Sequence, residues 1–525
     1  MNSKYMHQKM VQKETTRPCK TEKQGRGGRL VLFATQTLCA LFLFRLLYTE
    51  ITFKGTPNSQ QIKLDILVAS ERQILSESKR DESITVKKEA VIVARKNVSS
   101  GDVKKDVGVA IRKDDHNQSI QYLLTRLVGG EDRTKLESTG FACDNTSWSI
   151  ICVTNKPVQI DMSTLQVYLE TSPTTENTTT VLRPYSMQEN PYVMKYITPV
   201  TITTTKPSRP ATTCDHIHQH PAVIFSTGGY TGNLFHEFNE NIIPLFITTR
   251  LFKSRVHFVV VDHKPSFIRK YRKIFPHLSS HEIINTAVDK NVHCFPGAIT
   301  GLKFHKFLGV NTSENPQNYY TMPDFREFIR LTYRLKTKNV FQTQNPPILL
   351  LISRQGTRKF LNQVDMVQMM ERLGFRVIIA SSDKEMSDIE RFSRVINTCS
   401  VMVGAHGAGL ANEIFLPDGA VMIQVRPLGF QYGVDAFYSE PCPGMGLKYL
   451  EYMIEPRESS LAEVYGLDHP IVADTASVAA KGGYAAAREI YLNNQDLRLN
   501  LNRFRETLVE ALGFIGRHKN VDNAR

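Results

Sequence analysis

Three glycines and a histidine stand together in Val401–Arg426, VMVGAHGAGLANEIFLPDGAVMIQVR, between two apolar runs. The pattern predicts a strand, a glycine-rich turn, a short helix and a second strand. Gly404, Gly407 and Gly409 let a ligand approach the backbone, and the helix start beyond them offers N–H groups to an anion. His406 sits in the turn, placed to reach a phosphate or a sugar. The same glycines would equally serve a tight strand-to-helix turn that needs only small residues. A second group lies in Ser353–Asn362, SRQGTRKFLN, directly after an apolar run. Arg354 and Arg358 there could clamp a diphosphate, because guanidinium groups bind phosphate oxygens in pairs; the plain alternative is two surface arginines in a loop. The third is Ser226–Glu240, STGGYTGNLFHEFNE, where Gly228, Gly229 and Gly232 precede His236, Glu237 and Glu240. His236 and Glu240 are four apart and share one helical face. An imidazole beside a carboxylate at a cleft edge can take a proton from a sugar hydroxyl, although such pairs are also common on solvated faces.

These groups need elements to hold them. A first series has strands at Ala222–Ser226, Val256–Asp262 and Val292–Phe295, with helices over Leu234–Arg250 and Ser266–Phe275. A second has strands at Pro347–Ser353, Phe375–Ala380, Val401–Val403 and Ala420–Val425, with helices over Val364–Leu373, Ser387–Asn397 and beyond Gly409. Strands apolar throughout, alternating with helical periodicity, imply parallel sheets covered on both faces. The expected fold is α/β, with two Rossmann-like lobes facing a cleft and joined near Leu335–Pro346. Ligands of such sheets bind beyond the C-terminal strand edges, where the glycine turn lies.

The 525 residues leave room for two or three domains, and the formal charge of +14 is uneven. Residues 1–29 carry eight Lys/Arg against two Glu. Leu30–Tyr48 follows, apolar apart from Thr35, Gln36, Thr37 and Arg45, and just long enough to span a bilayer. The positive-inside rule places the tail in the cytosol and the body across the membrane. A cleaved signal peptide fits less well, because a long polar tail precedes the apolar run and no clear cleavage site follows it. The polar, Lys- and Glu-rich stretch to about Thr125 reads as a stem, and Thr171–Thr180 as an exposed loop. The expected layout is thus a cytosolic tail (1–29), an anchor (30–48), a stem (49–125), an N-terminal lobe (126–340), and a C-terminal lobe with a closing helix (341–525).

Beyond the span six cysteines remain, Cys143, Cys152, Cys214, Cys294, Cys399 and Cys442, which allow up to three disulfides. Cys143 and Cys152 are close enough to close a hairpin. Sequons at Asn97, Asn117, Asn145, Asn177 and Asn311 fit a lumenal body, though the composition alone would produce nearly as many. No basic patch interleaved with aromatics suggests nucleic acid. There is no G-x-S-x-G for a serine hydrolase and no G-x-G-x-x-G for a dinucleotide. No C-x-x-C pair or His-rich spacing points to zinc. No D-x-D triplet occurs; Asp383-Lys384-Glu385 and Asp388-Ile389-Glu390 come nearest. A manganese-held diphosphate needs such carboxylates, so a metal-independent site with no cofactor is expected.

Taken together, STGGYTGNLFHEFNENIIPLF, ISRQGTRKFLN and VGAHGAGLANEIFLP resemble, in order and spacing, plant members of glycosyltransferase family 61. The resemblance runs from about Phe141 to the C-terminus and takes in Cys143, Cys152 and the closing NQDLRLNLNRFRETLVEAL. It implies a single-pass type II Golgi enzyme of GT-B fold that inverts the anomeric centre of a nucleotide sugar. Donor contacts would fall on Arg354, Arg358, His406, Gly407, Ala408 and Asn412, with Gly409 in the same turn. His236 matches an N-x-x-H position that begins at Asn233. Glu240 would be the base, with a relay through His236. The flavour is that of xylan-decorating members: a UDP-pentose donor, first UDP-arabinofuranose for an α-1,3 branch, then UDP-xylose onto xylan or an N-glycan. A complex with other Golgi transferases is compatible with this, as is a non-catalytic glycan-binding protein of the same fold.

Overall fold

The computed structural model describes residues 118–145, 148–170, 178–205, 213–311, 320–343, 345–430 and 435–516, all within one compact unit. The tail, the span, the stem through residue 117, and Asn97, Asn117 and Asn177 lie outside the described residues. Among the described residues no helix is long and apolar enough to cross a membrane. The body begins earlier than residue 126, because Ile120–Thr125 is helical with Leu123 and Leu124 buried.

The C-terminal sheet has five parallel strands in the order Arg376–Ala380, Ile348–Ile352, Val401–Ala405, Val421–Arg426, Lys448–Met453. The inner runs Ile348–Ile352 and Val401–Ala405 are apolar and buried throughout because both faces are covered, whereas the edge strand Lys448–Met453 exposes Lys448 and Glu451. Leu350, Ile352, Met402 and Met422 face one core, and Leu349, Leu351, Val401, Val403 and Ile423 face another. Helix Leu501–Phe514 closes the second of these with Phe504, Leu508 and Leu512. Strand order reverses between Ile348–Ile352 and Val401–Ala405. That switch point opens a crevice at the C-terminal ends of the two strands.

The first sheet is mixed. Ile284–Asn285, His257–Val261, Ala222–Ser226 and Ala298–Thr300 run parallel, and the antiparallel hairpin Phe141–Asp144/Ile151–Thr154 completes it. Val292–Phe295 does not extend this sheet as expected. It pairs antiparallel with Val158–Asp161 in a second, six-stranded mixed sheet. Its residues alternate in burial, which suits a strand packed on one face only. Ala222, Ile224, Val259 and Val261 pack against that second sheet, while Val223, Phe225, Phe258 and Val260 face helices shared with the C-terminal sheet.

Helix Met322–Tyr333 spans the join. Phe325 and Phe328 pack on Phe246, and fully buried Arg326 pairs with Asp418 at 2.7 Å and donates to the carbonyls of Ile414, Leu416 and Met445. Cys143–Cys152 bridges the hairpin as expected, and a second disulfide joins Cys214 to Cys294. Cys399 and Cys442 are reduced and buried. Asn145 is exposed and Asn311 half-buried.

Candidate active site

Arg354 and Arg358 follow strand Ile348–Ile352, and His406 and Gly407 follow Val401–Ala405, so the switch point brings both motifs together. A Cβ added to Gly407 would stand 2.6 Å from Arg354 Nη1 and 3.4 Å from Arg358 Nη1. The two guanidinium groups therefore converge on a backbone atom that only glycine leaves open, at a φ of 153°. Gly407, Ala408 and Gly409 form the half-exposed rim, and a 3₁₀ helix over Ala408–Phe415 begins there. Its first N–H groups have no partners within the helix. Arg358 holds a left-handed backbone at φ 57°; its N–H bonds the carbonyl of Gln495 at 2.6 Å and its Nη1 that of His406 at 2.7 Å. Among the described residues it has no carboxylate partner, and its buried Nε bonds nothing. Burial, then neighbouring Arg354, pulls Arg358 down to about 9, and exposed Arg488 adds to the positive field. A cation so short of counter-charge suits a bound diphosphate.

His406 is held in the turn by its neighbours. Its ring is buried, with Nδ1 3.3 Å from Gln424 Oε1 and Phe430 at 4.8 Å, and burial lowers it to about 3, so it is neutral. Its contribution is the carbonyl that anchors Arg358. Asn412 likewise turns inward, its amide donating to the carbonyl of Gly409 at 2.9 Å.

His236 and Glu240 stand on the helical segment over this turn. Asn233 caps its start, and Glu237–Ile242 forms a π-helical turn, a distortion common at functional sites. His236 Nδ1 lies 2.5 Å from Glu240 Oε1, and Tyr185 donates to Glu240 Oε2. The Glu240 side chain is 2% exposed and that of His236 28%. Glu240 is thus enclosed with both oxygens engaged, and His236 is the member that meets solvent. Gly229, at φ 65°, makes room for Tyr185, whose hydroxyl would lie 2.7 Å from a Cβ there. Glu237 is taken up structurally by Lys270 at 2.6 Å and Tyr271 at 2.8 Å. The two halves of the site meet through rings: Phe235 lies 5.1 Å from Phe437 and 5.8 Å from Tyr438, and Tyr438 donates to the carbonyl of Gly407 at 2.8 Å. Tyr185 and Tyr438 lie outside the sequence motifs, and Gln424 and Gln495, though inside quoted segments, are not marked by spacing, since each is recruited by long-range contact.

Behind the turn, Glu413 is fully buried, with only Cys442 Sγ at 3.1 Å on Oε2, and burial pushes it up to about 8. A carboxyl whose folded pKa exceeds its unfolded value stabilises the fold while protonated and loses that contribution as pH rises through the folded value. Glu413→Gln is therefore expected to gain thermal stability relative to wild type as pH rises from about 5 to 8, and differential scanning calorimetry would show the gap between the two curves closing at low pH.

The site thus sets two arginines at one glycine turn and a hydrogen-bonded His–Glu pair on the helical segment over it. The family model for glycosyltransferase 61 matches residues 232–423, a span that holds the second and third motifs whole and the first from Gly232 onward. A xylan glycosyltransferase of Arabidopsis thaliana is 34% identical over 399 residues, covering 72% of this chain and 80% of the relative. An alpha-1,3-arabinosyltransferase of Oryza sativa subsp. japonica is 37% identical, over 66% of this chain and 59% of that protein. A beta-1,2-xylosyltransferase of the same species is 36% identical, over 63% and 71%. The chain thus spans less than two thirds of the arabinosyltransferase's length. It belongs to glycosyltransferase family 61.

Proposed function

We propose that this chain transfers a pentose from a UDP-sugar to xylan with inversion, as a type II Golgi enzyme of two-lobed GT-B architecture. The observation that carries the reading is the convergence of Arg354 and Arg358 on Gly407 across the crevice from His236 and Glu240. The diphosphate sits on the arginine wall, where charge that develops as UDP leaves is met by fixed cations. The acceptor hydroxyl gives its proton to His236 Nε2, and Glu240 holds the imidazole through Nδ1. This reading keeps Glu240 behind His236, as in the relay expected from sequence, because Glu240 is too enclosed to meet an acceptor itself. The hydroxyl oxygen then attacks the anomeric carbon from the face opposite UDP, in one displacement.

The relatives named for arabinosyl and xylosyl transfer support a pentose, with α-1,3-arabinofuranosyl transfer our first assignment and β-1,2-xylosyl the second. The test is to incubate the purified chain with xylo-oligosaccharide and a panel of UDP-sugars in EDTA, and to read product mass and linkage. A single pentose added with inverted configuration is expected. Transfer that needs Mn²⁺ overturns the metal-free part, a hexose product overturns the donor, and UDP binding with no transfer overturns catalysis.

A further inference from the structure

At the opposite end of the first sheet, each of three adjacent parallel strands is led in by a histidine. His220 precedes Ala222–Ser226, His257 opens His257–Val261, and His281 precedes Ile284–Asn285. One ligating nitrogen of each lies within 4.8 Å of the other two. His220 Nδ1 is 2.8 Å from His281 Nε2, and the rings of His257 and His281 stack at 3.8 Å. Two imidazole nitrogens at that distance need a shared proton, and a metal ion can take its place. We propose that His220, His257 and His281 bind one divalent transition-metal ion, zinc by preference.

Zinc takes imidazole nitrogens at about 2.0–2.1 Å in tetrahedral geometry. That sets the nitrogens about 3.4 Å apart, and the stacked rings of His257 and His281 must turn out of parallel for both lone pairs to meet one ion. His257 is buried while His220 and His281 are half-buried, so the ion has an entry path and a fourth position open to water. Neighbouring Arg255 opposes a cation at His220, and His218 is already engaged by His293 at 2.9 Å. The Cys214–Cys294 disulfide fastens the segment just before His216. Because ligands of parallel sheets bind at the C-terminal edge, a metal at the N-terminal edge staples the fold and takes no part in transfer. The three ligands stand 37 and 24 residues apart, on strand lead-ins that only the sheet brings together, so no histidine spacing in the sequence marks them.

The purified full-length chain, stripped by chelation and titrated with zinc against a chromogenic competitor, is expected to bind one ion per chain and gain several degrees in Tm by ligand linkage. His220→Gln and His281→Gln, at half-exposed positions, are expected to lower zinc affinity at least tenfold and remove the Tm gain, while His216→Gln retains both. Circular dichroism identifies any variant that has not folded. A wild-type chain that takes up no zinc, or a folded His281→Gln chain that binds as tightly as wild type, overturns the site. Metal uptake is read without reference to transfer, so the result stands apart from the assigned activity.

Discussion

Glu240→Gln is expected to lower kcat by about 10²–10⁴, the range of general-base catalysis, with UDP affinity unchanged. The reason is the carboxylate's position. Its Oε1 meets His236 Nδ1 at 2.5 Å, its Oε2 accepts from Tyr185, and its backbone carbonyl accepts from Ser186 at 2.7 Å. An amide keeps the volume but no longer fixes the proton on Nδ1, so Nε2 is not reliably the basic nitrogen; in the serine-protease triad the same exchange costs about 10⁴. His236→Ala should cost as much, and the double variant little more, because groups acting as a unit are not additive. Steady-state kinetics of the three variants, with UDP titrations beside them, check this. A Glu240→Gln enzyme within twofold of wild type removes the pair from the mechanism.

Arg358→Ala is expected to weaken UDP binding and to lower kcat by about 10²–10³, as when one preorganised charge-stabilising donor is lost. The guanidinium is buried, fixed by Gln495 through its backbone and by the His406 carbonyl through Nη1, and has one buried N–H without a partner. Arg358→Lys should recover little, since an ammonium cannot reproduce the fork. The alanine also orphans the His406 carbonyl at about 1–3 kcal/mol, so Tm must be measured alongside. Equal UDP affinity in a folded Arg358→Ala chain would contradict the cradle. Exposed Arg488, by contrast, should give a smaller loss that fades with salt.

Much of the cradle was legible because its parts are local. Arg354 and Arg358 follow one fully apolar strand and Gly407 another, and strands of that kind announce a parallel sheet. The His236/Glu240 pair was legible from its four-residue spacing. What the spacing could not tell is which partner faces the crevice, because Tyr185, which closes the carboxylate in, stands 55 residues away. For a related reason the glycine turn could not tell how His406 is held, since Gln424 and Phe430 lie outside it. The second sheet escaped notice since strands such as Val200–Thr205, VTITTT, present too few apolar residues to stand out. Edge strand Lys448–Met453, exposed at both ends, hid in the same way.

The most direct measurement is a crystal structure of the chain with UDP. The account predicts the diphosphate within hydrogen-bond reach of Arg354, Arg358 and the backbone around Gly407, with the sugar-bearing phosphate turned toward His236. A diphosphate bound elsewhere, or facing away from the His236 helix, would contradict it.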